Sequence, residues 1–570
     1  MNSALNKIEN FICYFCFAII VSFPVFQILS RSIDFFSIPA SQEIVQHMTL
    51  WIAFIGAVLA TRSNRLLAVV REPVFKQSSE FNIGHFLVHA VSAGIVFLLA
   101  VSYLKMIQIG IQYPEFVAPF IPRWFAQSII PIGLFLIWYH MIITSSNKLN
   151  YRLFLVLYSF LTVGVFYYWQ FPFSNEIFLT IKVLATLALV AFGLPIFIVL
   201  ATLSVLFFLS EPTDWATNFD LISTISDSAY RIVVSPTLAA IPIFTLAGYI
   251  LAESNISRRL LDFFQASLGW LPGSTVLIVV LLCAFFTALT GGSGVTILAL
   301  GAILYPILIE EGYSEVFSLG LITTAGSLGL LFPPSLPAII YSVTAGINPI
   351  DLFKQGFLPA LFLLLVVVSY GFYHTPKTRF SLLSLSQALG GNEKENSKNE
   401  KEWNFEDSVQ ALSVAKWEIV IPILIVLGLF SGFATLVECA ALLVVYVLFV
   451  ELYVYKDINI NDIPKIVIDC ATLVGGVLII LGFAMGFTGY LVDAQIPLKI
   501  LHFAQQSIES KIIFLLALNI LLLIVGCIMD VFSAIIVIVP LIAPLAVYFG
   551  IDPIHLAIIF IANLELGYIT

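Results

Sequence analysis

The sequence predicts an all-α polytopic membrane protein, and three observations predict it. Hydrophobic residues make up 60% of the 570-residue chain and charged residues only 10%. A soluble domain carries about a quarter charged residues, so this chain could not clothe a water-facing surface. Mean hydropathy is +1.04. The apolar residues also come in continuous runs, and about 20 in a row suffice to cross a bilayer. Transmembrane barrels are excluded, because their short strands alternate apolar and polar residues. The formal net charge of −9 supplies no basic patch, so nucleic acid is not an expected partner, whereas the membrane class makes lipid one.

Residues 1–150 read as a four-helix membrane domain. The first run, from about Phe11 to Ser30, lacks a small-residue cleavage site and is expected to stay as a helix rather than leave as a signal peptide. Its Cys13 and Cys16 form a CxxC inside a span, which reads as two buried thiols. A second span, about His47 to Ala60, ends at the basic loop of Arg62, Arg65, Arg71 and Lys76. The third and fourth, about Gly84 to Tyr103 and Gln127 to Thr144, end at Lys148 and Arg152. Basic loops mark the cytoplasmic side, and both follow an even number of spans. The N-terminus is therefore expected in the cytoplasm. Residues 151–177 hold a connecting helix.

From residue 178 to 373 the runs are shorter and broken by Gly and Pro. LVAFGLPIFIVLATLSVLFFL reads as two spans joined near Gly193-Leu194-Pro195, followed by an acidic outer loop with Glu211, Asp214, Asp220 and Asp227. A span from about Leu238 to Ala252 returns to Arg258 and Arg259, which read as topology signals. Residues 374–417 form a hydrophilic stretch centred on LGGNEKENSKNEKEWNFED, expected as a flexible cytoplasmic linker. Residues 418–570 then repeat 178–373. A shift of 238 residues lays Pro306 on Pro544, Gly312 on Gly550, Gly329 on Gly567 and Gly248 on Gly486. About five spans separate the repeated segments, and an odd number turns the second copy upside down. Inverted repeats with matching Gly/Pro interruptions point to secondary transport.

Each copy offers a hairpin. In the first, about 274–308, apolar arms of about 15 residues flank Gly291-Gly292-Ser293-Gly294, short for a full crossing. Glycines let the chain reverse there, so the segment is expected to enter and leave on one side. The alternative is an ordinary helix pair packed through small residues. The tip would present carbonyls and the hydroxyls of Ser293 and Thr296 at membrane depth, which is tolerated only inside protein or beside a polar cavity. The next span breaks at Pro333, Pro334 and Pro337, which withhold backbone donors. Free oxygens suit a small hard cation, and half-helix N-termini suit a carboxylate. In the second copy, about 512–548, CIMDVFSAI and IANLELGYIT place Asp530 and Glu565 in apolar surroundings, where an ionised group is costly and a functional candidate. A protonated or locally paired carboxylate is the plainer reading. Glu438 reads equally as a site residue or a helix cap. His502 and His555 read as residues near a membrane surface, with no site role. No HExxH, GxSxG or GxxxxGK[ST] occurs, so neither those enzyme classes nor ATP-driven transport by this chain is expected.

SPTLAAIPIFTLAGYIL, TGGSGVTILALGAILYPIL, GYSEVFSLGLITTAGSLGLLFPPSLPAIIYSVTAGINPIDLF and GIDPIHLAIIFIANLELGYIT resemble, in order, the large membrane subunit of tripartite ATP-independent periplasmic (TRAP) transporters. The resemblance runs from about Phe178 to the end, and residues 1–150 look like the small subunit, as in fused permeases. It implies an elevator-type symporter of the inner membrane, not an enzyme, that moves sodium ions with an organic acid delivered by a periplasmic binding protein. Carried over position by position, it makes Gly292, Ser293, Gly326, Gly329 and Pro334 sodium-site candidates in the first copy, with Asp530 and Gly567 in the second. Thr296, Glu438 and Glu565 are candidates for the substrate region. The sequence departs from the family's pattern, with Leu436 and Val437 where a proline and a threonine are usual directly before Glu438, and no proline after Asp530. The rival readings are a two-hairpin sodium/carboxylate symporter without a binding protein and a non-transporting scaffold. By the same shift Phe332 corresponds to Thr570, so the second copy is expected to be truncated before its matching prolines.

Overall fold

The computed structural model describes residues 2–33, 39–68, 83–146, 148–168, 176–210, 217–271, 273–375, 405–508 and 510–569. Among them the chain is helical apart from one small hairpin of strands, β1 (Phe116–Ala118) and β2 (Ile121–Pro122). Twelve of the described helices are long and apolar enough to cross a membrane, so the all-α polytopic expectation holds.

The first helices are α1 (Asn2–Ile33), α2 (Ser41–Arg62), α3 (Ile83–Gln112), the short α4 (Arg123–Gln127), α5 (Ile129–Ser145) and α6 (Leu149–Tyr168). Then come α7 (Glu176–Val190), α8 (Ile196–Phe208), α9 (Asn218–Val233), α10 (Ala240–Glu253) and α11 (Ile256–Leu268). The first hairpin is α12 (Ser274–Thr290) and α13 (Ser293–Glu310), followed by α14 (Glu315–Leu328), a 3-10 turn at Gly329–Leu331, α15 (Leu336–Ala345) and α16 (Pro349–Tyr373). Beyond the linker lie α17 (Phe405–Phe430), α18 (Leu436–Phe449), α19 (Ile463–Asp493), α20 (Ile496–Ser507), α21 (Lys511–Ile528), α22 (Val531–Tyr548) and α23 (Pro553–Ile569).

Several expectations need correction. The break at Gly193 is present, with φ 90°, but α7 and α8 have 15 and 13 residues and each is shorter than a span. Asp220 and Asp227 sit in α9 rather than in a loop. Thr217 and Asp220 form a capping box, satisfying two of the N–H groups that a helix start leaves free. Glu211 and Asp214 lie outside the described residues, as do Arg71, Lys76 and residues 376–404 of the expected linker. The linker's last residues are helical, because FEDSVQALSVAKWE carries α17 back to Phe405. The hairpin arms are longer than expected, at 17 and 18 residues in the first copy and 18 each in the second.

The chain divides into two compact units. One comprises Met1–Ile243, Val343–Ala345 and Val467–Pro553; the other comprises Phe244–Ser342, Gly346–Ile466 and Ile554–Thr570.

In the first unit α2 is buried almost continuously from Leu50 to Thr61. It crosses α19 at Gly56 and Gly475, where a Cβ on Gly475 would lie 2.2 Å from the Gly56 carbonyl carbon. Only glycine lets two backbones approach so closely. Glu9 of α1, 1% exposed, accepts from Arg62 of α2 at 2.7 Å and pairs with His140 of α5 at 2.8 Å. Arg62 also donates to Asn10 at 3.0 Å. Phe97 of α3 packs on Phe135, Trp138 and Phe160, joining α3 to α5 and α6.

In the second unit Arg259 of α11 is ringed by carboxylates. It donates to Glu418 of α17, reaches Asp457 at 2.5 Å and Glu451 at 3.5 Å, and stacks 3.9 Å over the Tyr455 ring. Burial raises the Asp457 carboxyl, but hydrogen bonds from Arg259 and the Asn255 backbone pull it below the ordinary carboxylate range. Arg259 is therefore a packing residue that joins α11 to α17 and the turn after α18, which corrects its reading as a topology signal alone.

One pair of helices related by the 238-residue shift matches in local geometry. The 238-residue shift lays α13 residue for residue on α22. Both helices end in a left-handed glycine, Gly312 at φ 88° and Gly550 at φ 67°. In each, the glycine N–H and the next N–H turn back onto the last helical turn: Gly312 to Ile309 and Tyr313 to Leu308, Gly550 to Val547 and Ile551 to Ala546. This is a Schellman cap at corresponding positions. The Gly248 and Gly486 pair differs in its partners, since Gly248 abuts the first hairpin at Leu289 and Gly486 abuts Ile225 of α9.

Candidate functional site

The first hairpin reverses at two glycines with different duties. Gly291 ends α12 in the left-handed region at φ 68°, and a Cβ there would come within 2.1 Å of Leu336. Both the conformation and the space demand glycine. Gly292 is extended and stands at the N-cap of α13, with no side-chain cap and only Val295 within 3.8 Å of a Cβ. The start of α13 thus keeps its N–H groups, carrying the positive end of the helix dipole, beside the reversal.

Hydroxyls brace the two arms. Thr287 donates to Thr296 at 2.8 Å, and Thr290 lies 3.2 Å from the same oxygen. Thr296 is fully buried, so in this conformation it joins the arms rather than facing open space. Ser293, 6% exposed, follows at the tip.

The broken span closes over this tip. Gly326 faces the second arm, where a Cβ would lie 2.9 Å from Ile297 and 3.7 Å from the Ser293 carbonyl. Gly329 faces the first, where a Cβ would lie 2.5 Å from both the Ala284 carbonyl and the Thr287 Cβ. The helix then stops, and α14 with its 3-10 turn meets α15 at a 42° bend. Pro333 and Pro334 supply no N–H, so Gly329 and Leu330 lose their helical donors. The Gly329 carbonyl accepts from Phe332 instead, at 3.1 Å. Ser335 restarts the helix by accepting from the Ala338 N–H at 3.4 Å. Gly248 of α10 closes the other flank, with a Cβ position 2.9 Å from the Leu289 carbonyl. The five first-copy candidates, Gly292, Ser293, Gly326, Gly329 and Pro334, therefore belong to one neighbourhood of hairpin tip and helix break, rich in backbone oxygens and neutral hydroxyls.

The second copy is built differently. Asp530 takes the position of Gly292 and caps α22: one carboxylate oxygen accepts from the Phe532 and Ser533 N–H groups at 3.0 and 3.1 Å, the other from the Ser533 hydroxyl at 2.6 Å. A carboxylate here answers the helix dipole locally. Glu565 of α23 is 3% exposed, and its Oε1 has no hydrogen-bond partner among the described residues. Gly567, two residues on, is buried. Asp530 belongs to the first compact unit and Glu565 and Gly567 to the second. Glu438 forms a capping box with Thr435 at the start of α18, accepting from its N–H at 2.8 Å, so the helix-cap reading describes it. His502 and His555 are exposed.

Sequence reasoning missed the clasp on Arg259 and the Glu9–Arg62–His140 group. Their signal was polar residues near span ends, which basic-loop counting absorbed.

Residues 183–570 match the family described as "Tripartite ATP-independent periplasmic transporter, DctM component", and residues 20–150 match its DctQ component. The chain belongs to the tripartite ATP-independent periplasmic transporter family. Regions of both membrane components lie in one multi-pass polypeptide. Among its relatives is the isethionate TRAP transporter permease protein DctMQ of Oleidesulfovibrio alaskensis, 29% identical over 61% of this chain and 52% of that one. The chain thus spans about half the length of that fused relative. The C4-dicarboxylate TRAP transporter large permease protein DctM of Pseudomonas aeruginosa is 34% identical over 59% of this chain and 74% of its own length. The corresponding protein of Rhodobacter capsulatus is 30% identical over 67% of this chain and 84% of its own.

Proposed function

We propose that this permease imports an organic acid across the bacterial inner membrane, driven by sodium and fed by a periplasmic binding protein. The observation that carries the sodium reading is the junction of hairpin tip and broken span. Backbone carbonyls and neutral hydroxyls meet there without a fixed cation, the donor set a hard monovalent ion takes. The α13 N-terminus beside it favours an anionic substrate group. The relatives named for isethionate and C4-dicarboxylates support a small organic anion as cargo.

In liposomes holding the permease and its binding protein, uptake should collapse when outside sodium is replaced by choline. Ser293→Ala should weaken the sodium dependence more than it lowers protein yield. Equal uptake in sodium and choline would remove the sodium claim. Uptake at a comparable rate without the binding protein would favour the rival two-hairpin symporter.

The elevator reading requires hairpins that open to opposite faces, the first cytoplasmic and the second periplasmic, with the N-terminus in the cytoplasm. Single cysteines replacing Glu311 and Asp552, each just beyond the hairpin's end, should label from opposite sides in a cysteine-free background. Labelling from one side would refute the inverted repeat.

A further inference from the structure

His85 and His89 stand one turn apart near the start of α3, and their Nε2 atoms are 3.1 Å apart. The rings meet edge-on, with centroids 4.3 Å apart and planes at 61°. Residues four apart share a helix face, but that spacing does not by itself aim two ring nitrogens at one point. Here the two Nε2 atoms meet, as donor and acceptor of one hydrogen bond.

The separation carries chemical information. Two nitrogens each about 2.05 Å from a common ion stand about 2.9 Å apart at a right angle and about 3.3 Å apart at the tetrahedral angle. The observed spacing falls between these values. The turn that presents the rings is also held in place. Phe86 packs on Tyr151 and Phe154 of α6 at 5.3 and 5.1 Å between centroids, and Val88 and Ala90 are buried. Gly84 lies against Phe192, where a Cβ would come within 2.2 Å. The helix turn that carries the pair is therefore held in place, and His85 is exposed.

We propose that His85 and His89 form a two-histidine site for a first-row transition-metal dication, with water completing its coordination. In the present contact one Nε2 donates to the other. With an ion between them, both rings take the Nδ1–H tautomer and offer the Nε2 lone pair. Imidazole ligands select nickel, cobalt, copper or zinc over oxygen-seeking ions such as magnesium. Neither histidine belongs to the hairpin sites, so the proposal does not depend on the sodium reading.

The test titrates the full-length protein, purified in detergent without a polyhistidine tag, with Ni2+, Co2+, Mn2+ and Mg2+ by calorimetry. Nickel avoids the redox chemistry that copper would begin with the free cysteines. One saturable site should appear, with affinity falling from Ni2+ to Co2+ to Mn2+ and no binding of Mg2+. His89→Ala and, separately, His85→Gln should each weaken Ni2+ by roughly tenfold or more. Size-exclusion profiles and helical circular dichroism like those of the unaltered protein would show that each variant is folded. Nickel binding unchanged in both folded variants would place the ion elsewhere and overturn the proposal. So would the absence of saturable binding to the unaltered protein.

Discussion

Gly329→Ala should abolish uptake while Gly292→Ala leaves most of it intact. The two glycines look alike in sequence, since both are sodium-site candidates. At Gly329 a methyl group would lie 2.5 Å from the Ala284 carbonyl and from the Thr287 Cβ, and 3.0 Å from the Ala288 nitrogen. Two of those three neighbours are backbone atoms of a helix arm, which cannot swing aside as a flexible side chain could. The broken span would have to lift off the hairpin, and overpacking of this kind costs about 1–3 kcal/mol. At Gly292 the backbone is extended and a methyl group would meet only Val295, at 3.8 Å. The carbonyl that could serve a cation stays where it is. Uptake by the two variants in liposomes, normalised to folded protein, checks the contrast. Equal activity would mean that the close approach of α12 and α14 does not matter to transport.

Glu9→Ala should destabilise the small-subunit-like region severely. Glu9 is shared by Arg62 and His140 across three helices and is 1% exposed. Removing one partner of a buried ion pair leaves the other charge uncompensated, at a cost of about 3–5 kcal/mol. The loss should appear as a lower melting temperature of the detergent-solubilised protein. Glu9→Gln, which keeps an acceptor and the side-chain shape, should lose less. A melting temperature unaffected by Glu9→Ala would show that water reaches the site and replaces the carboxylate.

Much of the fold was legible in the sequence because its signals are local. Hydropathy placed most of the spans, though α7, α8 and α10 are shorter than one, and Gly291-Gly292 and Pro333-Pro334 placed the hairpin tip and the helix break within a residue or two. Gly312 and Gly550 marked helix ends that the structure caps in the same way. Local signals fail where a helix ignores polarity. The linker's last residues joined α17 because their apolar positions recur at helical spacing, and Asp220 entered α9 by capping it. Local pairing also described two candidate acids: Glu438 and Asp530 both satisfy backbone N–H groups at helix starts.

By itself, then, the sequence determined the membrane class and the breaks in the helices, since each depends on residues near one another in the chain. Only the tertiary structure decided which glycines are close contacts and which are free. It also decided that Thr296 is locked between the arms and that Arg259 serves a clasp. Arg259 meets Glu418 and Asp457 across 159 and 198 residues of chain. A charge is costly to bury until such partners arrive. That arrival is a property of packing, and no window of sequence contains both ends of it.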